Sequence, residues 1–413
     1  MPRAFVKDAL PWIVSLAVLL PLPFVFSSGG AITIMNQMAI TIVFALSYNM
    51  LLGQAGILSF GHAVFMGFGG FFSIHMINWL SETGLPVPLP FLPLFGGVFG
   101  LGTAMIIGAF SLRRSGVVFA MISLGVVELV SAYAIVTYGF FSGGGVGADR
   151  TFVAPFFGIT FPQQSEVYYI VTVWMMLSAF LMFLFTRTPA GRMANAVRDN
   201  AERAEYLGYS AYWVRFCSFC GAGFFAGIAG ALFAITYEIT TVENMNLQAS
   251  GTILMITFLG GIGVFWGPVV GAVVFTILQT VLSMQTELWQ LYTGALFVAS
   301  VMFFPGGLAG VMVAHVPLLH SGGARRLIRP YLLTLLPAAI CILSVVGLCE
   351  MLNAVRNASV GEHVITLFWV PTDVHNPLVW GALLVLALAG FRSARRQAKA
   401  LAAEWHQVIV NAA

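Results

Sequence analysis

Apolar residues in this chain fall into long runs separated by short polar connections, near 9–26, 31–52, 56–79, 91–111, 116–138, 167–186, 213–236, 251–264, 267–283, 288–304, 330–352 and 377–391. Each run is read as a candidate membrane-spanning helix, although several fall short of the roughly 20 residues that a perpendicular crossing needs. Only Phe265 and Trp266 separate 251–264 from 267–283, so these two pieces are either two crossings or one broken element. The expected fold is all-α, a polytopic transmembrane helical bundle with broken or short helices.

One long segment between two runs breaks this pattern by being polar and charged. Pro189 to Gly208, PAGRMANAVRDNAERAEYLG, follows Arg187 and holds Arg192, Arg198 and Arg203 with Asp199, Glu202 and Glu205. Good helix formers fill it, Pro189 suits a first helical turn and Gly208 suits the residue beyond a helix end, so the pattern predicts a single helix of about four turns. Met193, Ala196, Val197, Ala204 and Leu207 then fall on one stripe. Such a helix is either a solvated linker or an element that docks into a groove on a cytoplasmic partner.

Composition fixes the class. With 59% apolar and 14% aromatic residues, 44 glycines and a mean hydropathy of +0.94, the chain is suited to a bilayer. The placement of its 18 Lys and Arg matters more than the net charge of +3. If all twelve runs cross and the N-terminus is cytoplasmic, only Arg150 and Arg356 lie outside, whereas fusing 251–283 would export Arg325, Arg326 and Arg329. Two separate pieces and two cytoplasmic termini are therefore expected. The first run follows Arg3 and Lys7 as a signal peptide would, but SSGGAIT offers no small-x-small cleavage site, so it reads as an uncleaved anchor. Cys217, Cys220, Cys341 and Cys349 lie in or beside spans, and the CxxC pair has no His or second pair to suggest a metal.

Three runs carry the candidate chemistry. Gly53 to Phe72, GQAGILSFGHAVFMGFGGFF, is rich enough in glycine for close helix contact or an interrupted helix, and it embeds Ser59 and His62 in an apolar setting. In ISLGVVELV, Glu128 is read as the only acid within a span, either on a functional path or in a hydrogen bond to a neighbouring helix. The SGGGVGAD stretch that follows, Ser142 to Asp149, reads as a flexible rim. In FLGGIGVFWGPVVGA, Gly260, Gly261, Gly263, Gly267 and Gly271 surround Pro268, a pattern that breaks a helix at a packed interface. The lysines, Lys7 and Lys399, belong to no GxxxxGK[ST] phosphate loop, so ATP chemistry would have to come from another chain. An ion-coupled secondary transporter usually carries more intramembrane ionisable groups than Glu128, His62 and His75.

These segments together resemble the M-type permease subunit of branched-chain amino acid ABC importers, a family that includes urea and amide permeases. The resemblance spans roughly residues 30–312 and rests on GQAGILSFGHAVFMGFGGF, SLGVVELV with SGGGVGAD, GRMANAVRDNAERAEYLG, FFAGIAGALFA, FLGGIGVFWGPVVGA and FFPGGLAG, in that order. It implies a permease domain over 1–312 with about ten family spans, and a carboxy-terminal extension over 313–413 with two further spans and a basic amphipathic tail. It makes Gly191–Gly208 a coupling helix to an ATPase, with Gly191, Arg192, Ala196, Arg198, Asp199, Arg203, Ala204 and Gly208 at the contact. Ser59, His62, Glu128, Gly260, Gly261, Gly263 and Gly267 become candidates for the path or gate, and no catalytic or metal-binding residue is expected. The implied partners are a homologous second permease, two cytoplasmic ATPases holding ATP and magnesium, a periplasmic substrate-binding protein and membrane lipid, with no nucleic acid. The implied place is the bacterial inner membrane, and the implied cargo is branched-chain or other small amino acids, with urea, amides and aromatic acids as alternatives. Ser142, Ala148, Phe71 and Gly306 depart from the usual Thr, Leu, Tyr and Arg or Gln, which bears on the cargo more than on the class.

Overall fold

The computed structural model describes the backbone of residues 2–153, 155–156, 160–304, 306–320, 324–357, 364–367 and 370–412. Helices α1 (Pro2–Leu19), α2 (Leu22–Val25), α3 (Gly29–Asn49), α4 (Ala63–Thr83), α5 (Leu92–Ser111), α6 (Val117–Val136) and α7 (Tyr138–Phe141) come first. They are followed by α8 (Gln164–Arg187), α9 (Pro189–Asp199), α10 (Ala201–Tyr206), α11 (Ala211–Tyr237), α12 (Leu247–Gly260) and α13 (Gly267–Gln285). The chain ends with α14 (Trp289–Phe303), α15 (Gly307–His320), α16 (Ala324–Asn357) and α17 (Pro377–Ala412). Two short antiparallel ribbons complete it, β1 (Gly145–Gly147) with β2 (Ile239–Thr241) and β3 (Val364–Leu367) with β4 (Val370–Asp373).

Among the described residues, nine helices are long and apolar enough to cross a membrane, and α14 with the first part of α15 forms a bent pair that passes the same test. The segment Leu10–Val25 and α12 are apolar but shorter. Helix α15 has no counterpart among the twelve predicted runs, because its start lies in the Gly306–Gly307 turn rather than in an unbroken apolar stretch.

The chain divides into two compact units, Met1–Thr280 with Ala295–Gly310 and Val281–Gly294 with Val311–Ala413. In the first, α11 is the central post, since 83% of its most apolar window is buried, more than in any other span among the described residues, and it packs on α5, α4 and α3. Lipid tails are as apolar as leucine, so helices in a membrane gain by fitting backbones closely rather than by hiding oily side chains. Small residues provide that fit: Gly96, Gly100 and Ala104 of α5 face Gly223 and Gly227 of α11, and Gly69 and Gly70 of α4 face Gly227 and Gly230. In the second unit α16 packs along α17. There Glu350 of α16 accepts hydrogen bonds from the hydroxyls of Thr286 (2.6 Å) and Tyr292 (2.7 Å). Glu128 is therefore not the only acid within a span, because Glu350 falls inside the 330–352 run.

Candidate functional site

Two interruptions of helical geometry and one polar segment meet in the first unit. The first interruption follows α3, where Met50–Gln54 forms a π-helical turn and the chain then runs irregularly to α4. π-turns widen the helix by one residue and tend to mark functional places. Gly56 has a φ of +66°, in the left-handed region where a Cβ is disfavoured. The exposed backbone amides of this connection are met from distant helices: Ser123 Oγ of α6 accepts from Phe60 N (3.0 Å), and Ser250 Oγ of α12 accepts from Ala63 N (3.1 Å). Tyr48 donates to the Ser59 carbonyl at 2.9 Å, and Ser59 Oγ accepts from Gly61 N at 3.3 Å.

His62 sits beneath this connection in the core, with no exposure. Its Nε2 lies 2.9 Å from Ser47 Oγ, which itself donates to the Phe44 carbonyl at 2.7 Å. Ser47 has one hydroxyl proton, so the imidazole must donate from Nε2, leaving Nδ1 buried without a partner. Phe44 stacks on the ring, and Tyr48 and Phe65 close its edges. Ser59 and His62 are thus buried and hydrogen-bonded within the broken connection.

The second interruption separates α12 from α13. Gly261 has a φ of +110°, and its amide closes α12 by donating to Thr257 O at 2.9 Å. The glycines here face backbone. A Cβ on Gly260 would run into the carbonyl of Gly267, one on Gly267 into the carbonyl of Gly261, and one on Gly261 into that of Gly306. Gly263 differs, because a Cβ there would meet nothing within 4 Å.

The charged segment is two helices, not one. Thr188 caps α9 by accepting from Gly191 N (3.3 Å), and Asn200, extended at φ −159° and ψ 101°, caps α10 by accepting from Arg203 N (2.9 Å). An asparagine at a helix start competes with the continuing helix for that amide, which is why the predicted four turns break at residue 200. Gly208 is left-handed, as expected of its place after a helix end. Gly191, Ala194, Val197 and Ala204 are buried, and Val197, Ala204 and Ala211 form one small apolar cluster. The apolar stripe therefore seats the segment on its own chain, with Ala196 half-buried and Leu207, expected on the stripe, exposed. Outward lie Arg192, Asp199, Glu202, Arg203, Glu205, Tyr206 and Leu207, the last two 91% and 70% exposed. Arg198 turns back instead, and its Nη1 donates to the Gly53 carbonyl.

Beside this end of the bundle lies a cavity of about 450 Å³ lined by Gly56, Leu58, Met121, Leu124, Arg114 and Arg215, among others. Helix α6 forms one wall and continues as an exposed apolar face through Met121, Leu124, Glu128 and Leu129. No hydrogen bond or ion pair within this chain engages Glu128 among the described residues.

At the opposite end, sequence reasoning missed a buried arginine. Arg150 is 6% exposed and donates to the carbonyls of Phe161 (3.0 Å), Pro162 (3.1 Å), Ile235 (3.0 Å) and Thr236 (3.4 Å), with Glu238 at 3.7 Å. Nothing local flags it, since its acidic partner lies 88 residues away. The rim predicted to be flexible is ordered for the same reason: Gly145, Val146 and Gly147 pair with Thr241, Thr240 and Ile239. His75 Nε2 donates to Phe140 O (2.6 Å), and Asn78 Nδ2 donates to Gly147 O (3.1 Å), fixing the rim to α4. Thr151, through its hydroxyl and amide, holds the exposed Asp149 carboxyl below the usual carboxylate range. Arg150→Met should take the guanidinium from the carbonyls of Phe161, Pro162 and Ile235, while Thr236 O keeps Gln164 Nε2 (2.9 Å), and cost about 3 kcal/mol, lowering the thermal unfolding midpoint in detergent by several degrees.

Comparison with known proteins gives the arrangement a family. Residues 30–303 match the model of the branched-chain amino acid transport system permease component. The high-affinity branched-chain amino acid transport system permease protein LivM of Salmonella typhimurium is 26% identical over 326 residues, covering 73% of this chain and 75% of LivM, and LivM of Escherichia coli K12 is 25% identical over the same shares. The autoinducer 2 import system permease protein LsrC of Escherichia coli O9:H4 is 31% identical over 139 residues, 32% of this chain and 41% of LsrC. No solved structure matches. The chain belongs to the branched-chain amino acid transport system permease family and is a membrane permease subunit of an importer of the ATP-binding-cassette class.

Proposed function

We propose that this permease forms half of a translocation path for branched-chain or other small apolar amino acids. A homologous second permease supplies the other half, a periplasmic binding protein delivers the cargo, and two cytoplasmic ATPases, which carry the ATP and magnesium, drive the cycle through the α9–α10 segment. The observation that carries the reading is the exposed face of α6, which lies beside a cavity and bears a carboxylate with no partner among the described residues. A charged group on an otherwise apolar face in lipid is costly, so such a face is one that meets another subunit or water. The charge distribution supports the orientation: Arg114, Arg198 and Arg215 gather with Gly56 at one end, the expected cytoplasmic side, and Arg150 lies with Asp149 and Glu238 at the other. Both termini are then cytoplasmic, in a bacterial inner membrane.

Glu128→Gln tests the path. Uptake in whole cells should fall about tenfold or more while the complex with the second permease and ATPases is still recovered intact. Unchanged uptake of every amino acid tried would remove Glu128 from the path.

A further inference from the structure

Arg198 lies in the segment read as the contact with the ATPase, and although part of its side chain is exposed, its guanidinium reaches back onto its own chain. Its guanidinium donates to the carbonyl of Gly53 inside the π-turn, and Nε and Nη2 hold Asp199 Oδ1 at 3.0 Å each. Its stem lies over Gly56, where an added Cβ would come within 2.7 Å of Arg198 Cγ. The next layer is equally close. A Cβ on Gly53 would meet the side-chain oxygen of Asn49 and stand 3.1 Å from the carbonyl of Ile262, in the turn that separates α12 from α13. Gly261 in that turn abuts Gly306 and Gly307. A continuous line of close approaches therefore runs from the Arg198 side chain through the first helix break to the second and on to the start of α15.

The first break also carries the marks of a joint with more than one arrangement. The side-chain oxygens of Asn49, 3% exposed, and Gln54, 6% exposed, are buried with no protein donor among the described residues. Buried acceptors without partners are costly and rare, and a π-turn offers an alternative register one residue away that exchanges its hydrogen bonds.

We propose that Arg198 is a positioning residue that links the α9–α10 segment to the Met50–Gln54 turn, so that displacement of the segment shifts both helix breaks together. This rests on the reading of the segment as the ATPase contact. The job differs from that of a docking charge: the outward residues hold the ATPase, and Arg198 passes the movement inward. Loss of the link uncouples the machine without taking it apart.

The test uses the complete transporter in membranes. In Arg198→Met the apolar stem over Gly56 is kept and the donor to Gly53 is removed. The ATPases should still co-purify, while substrate taken up per ATP hydrolysed falls about tenfold or more, the scale of an ordinary coupling free energy. Arg198→Lys, which restores a cationic donor, should recover most of the loss, and the concentration of loaded binding protein giving half-maximal uptake should stay unchanged. Normal uptake per ATP in Arg198→Met overturns the link, and so does loss of the ATPases, which would make Arg198 a docking residue. Should Arg198→Met not accumulate, hydrogen exchange across residues 50–57 of Arg198→Lys decides: the change on ATP binding should be smaller than in the parent, and an equal change overturns the link. A Tyr206→Asp, Leu207→Asp double variant separates the two layers of the argument. If it keeps both ATPases and uptake, the contact reading falls and takes the link with it. If it loses the ATPases while Arg198→Met transports normally, the contact reading stands and only the link is lost.

Discussion

Gly267→Ala should leave little folded permease in the membrane, whereas Gly263→Leu should accumulate and transport as the parent does. Both glycines belong to the same run, and sequence alone assigns packing consequences to Gly263→Leu. The structure separates them. At Gly267 an added Cβ would stand 3.0 Å from the Gly261 carbonyl carbon and closer still to its oxygen, and both are backbone at a point where Gly260, Gly261 and Gly267 bring two helix ends together. Backbone has no rotamer by which to withdraw, so one methyl group forces α12 and α13 apart, and overpacking of this kind costs about 1–3 kcal/mol or more. Gly260 and Gly271 would meet carbonyls in the same way. Gly263 faces open space, and leucine there adds apolar surface where the site is free. Expression level, monodispersity after solubilisation and thermal midpoint of the two variants check the contrast. Equal behaviour would mean that the glycine break is not a close-packed interface.

What the sequence reveals about this fold is what its local chemistry specifies. The apolar runs, the break between residues 260 and 267 and the left-handed Gly208 after a helix end all follow from neighbours along the chain. The features that escaped depend on partners far away in sequence. Residues 142–149 look like a loose glycine loop until Ile239–Thr241 comes alongside them, and Arg150 looks like a stray external charge until the carbonyls at the end of α11 surround it. His62 reads equally as a contact with cargo or as a hydrogen bond to another helix, because an imidazole in lipid demands a partner, and which partner could be named only once the fold brought Ser47, one break away in the preceding helix, to its Nε2. Asn200 is the opposite case. Its capping chemistry is local and could have been used to divide the segment, but the run of good helix formers around it argued for one continuous helix.

The outward face of the α9–α10 segment is the second place where a large effect is expected. Tyr206→Asp with Leu207→Asp should strip the ATPases from the purified complex and abolish uptake, although the permease itself should fold and insert normally. The sequence pattern places the docking stripe at Met193, Ala196, Val197, Ala204 and Leu207, but burial divides that stripe. Val197 and Ala204 are almost wholly enclosed against Ala211, while Leu207 projects into open space beside Tyr206. An aromatic ring and a leucine exposed side by side at the tip of a charged segment are the kind of anchor that carries interface energy, and the surrounding Arg192, Glu202, Arg203 and Glu205 are suited to fixing register. Two carboxylates in place of the anchors would have to be desolvated against the partner's groove, a cost of several kcal/mol that no rim charge recovers. Ala204→Trp acts differently, because an indole cannot fit between Val197 and Ala211. It should unseat the segment from its own chain, lowering the yield of folded permease along with ATPase binding. Co-purification of the ATPases read against permease yield separates the two: the Tyr206, Leu207 variant loses only the first, Ala204→Trp loses both. If the double variant retains the ATPases and transports normally, the partner engages some other surface and α9–α10 is a solvated linker between two spans.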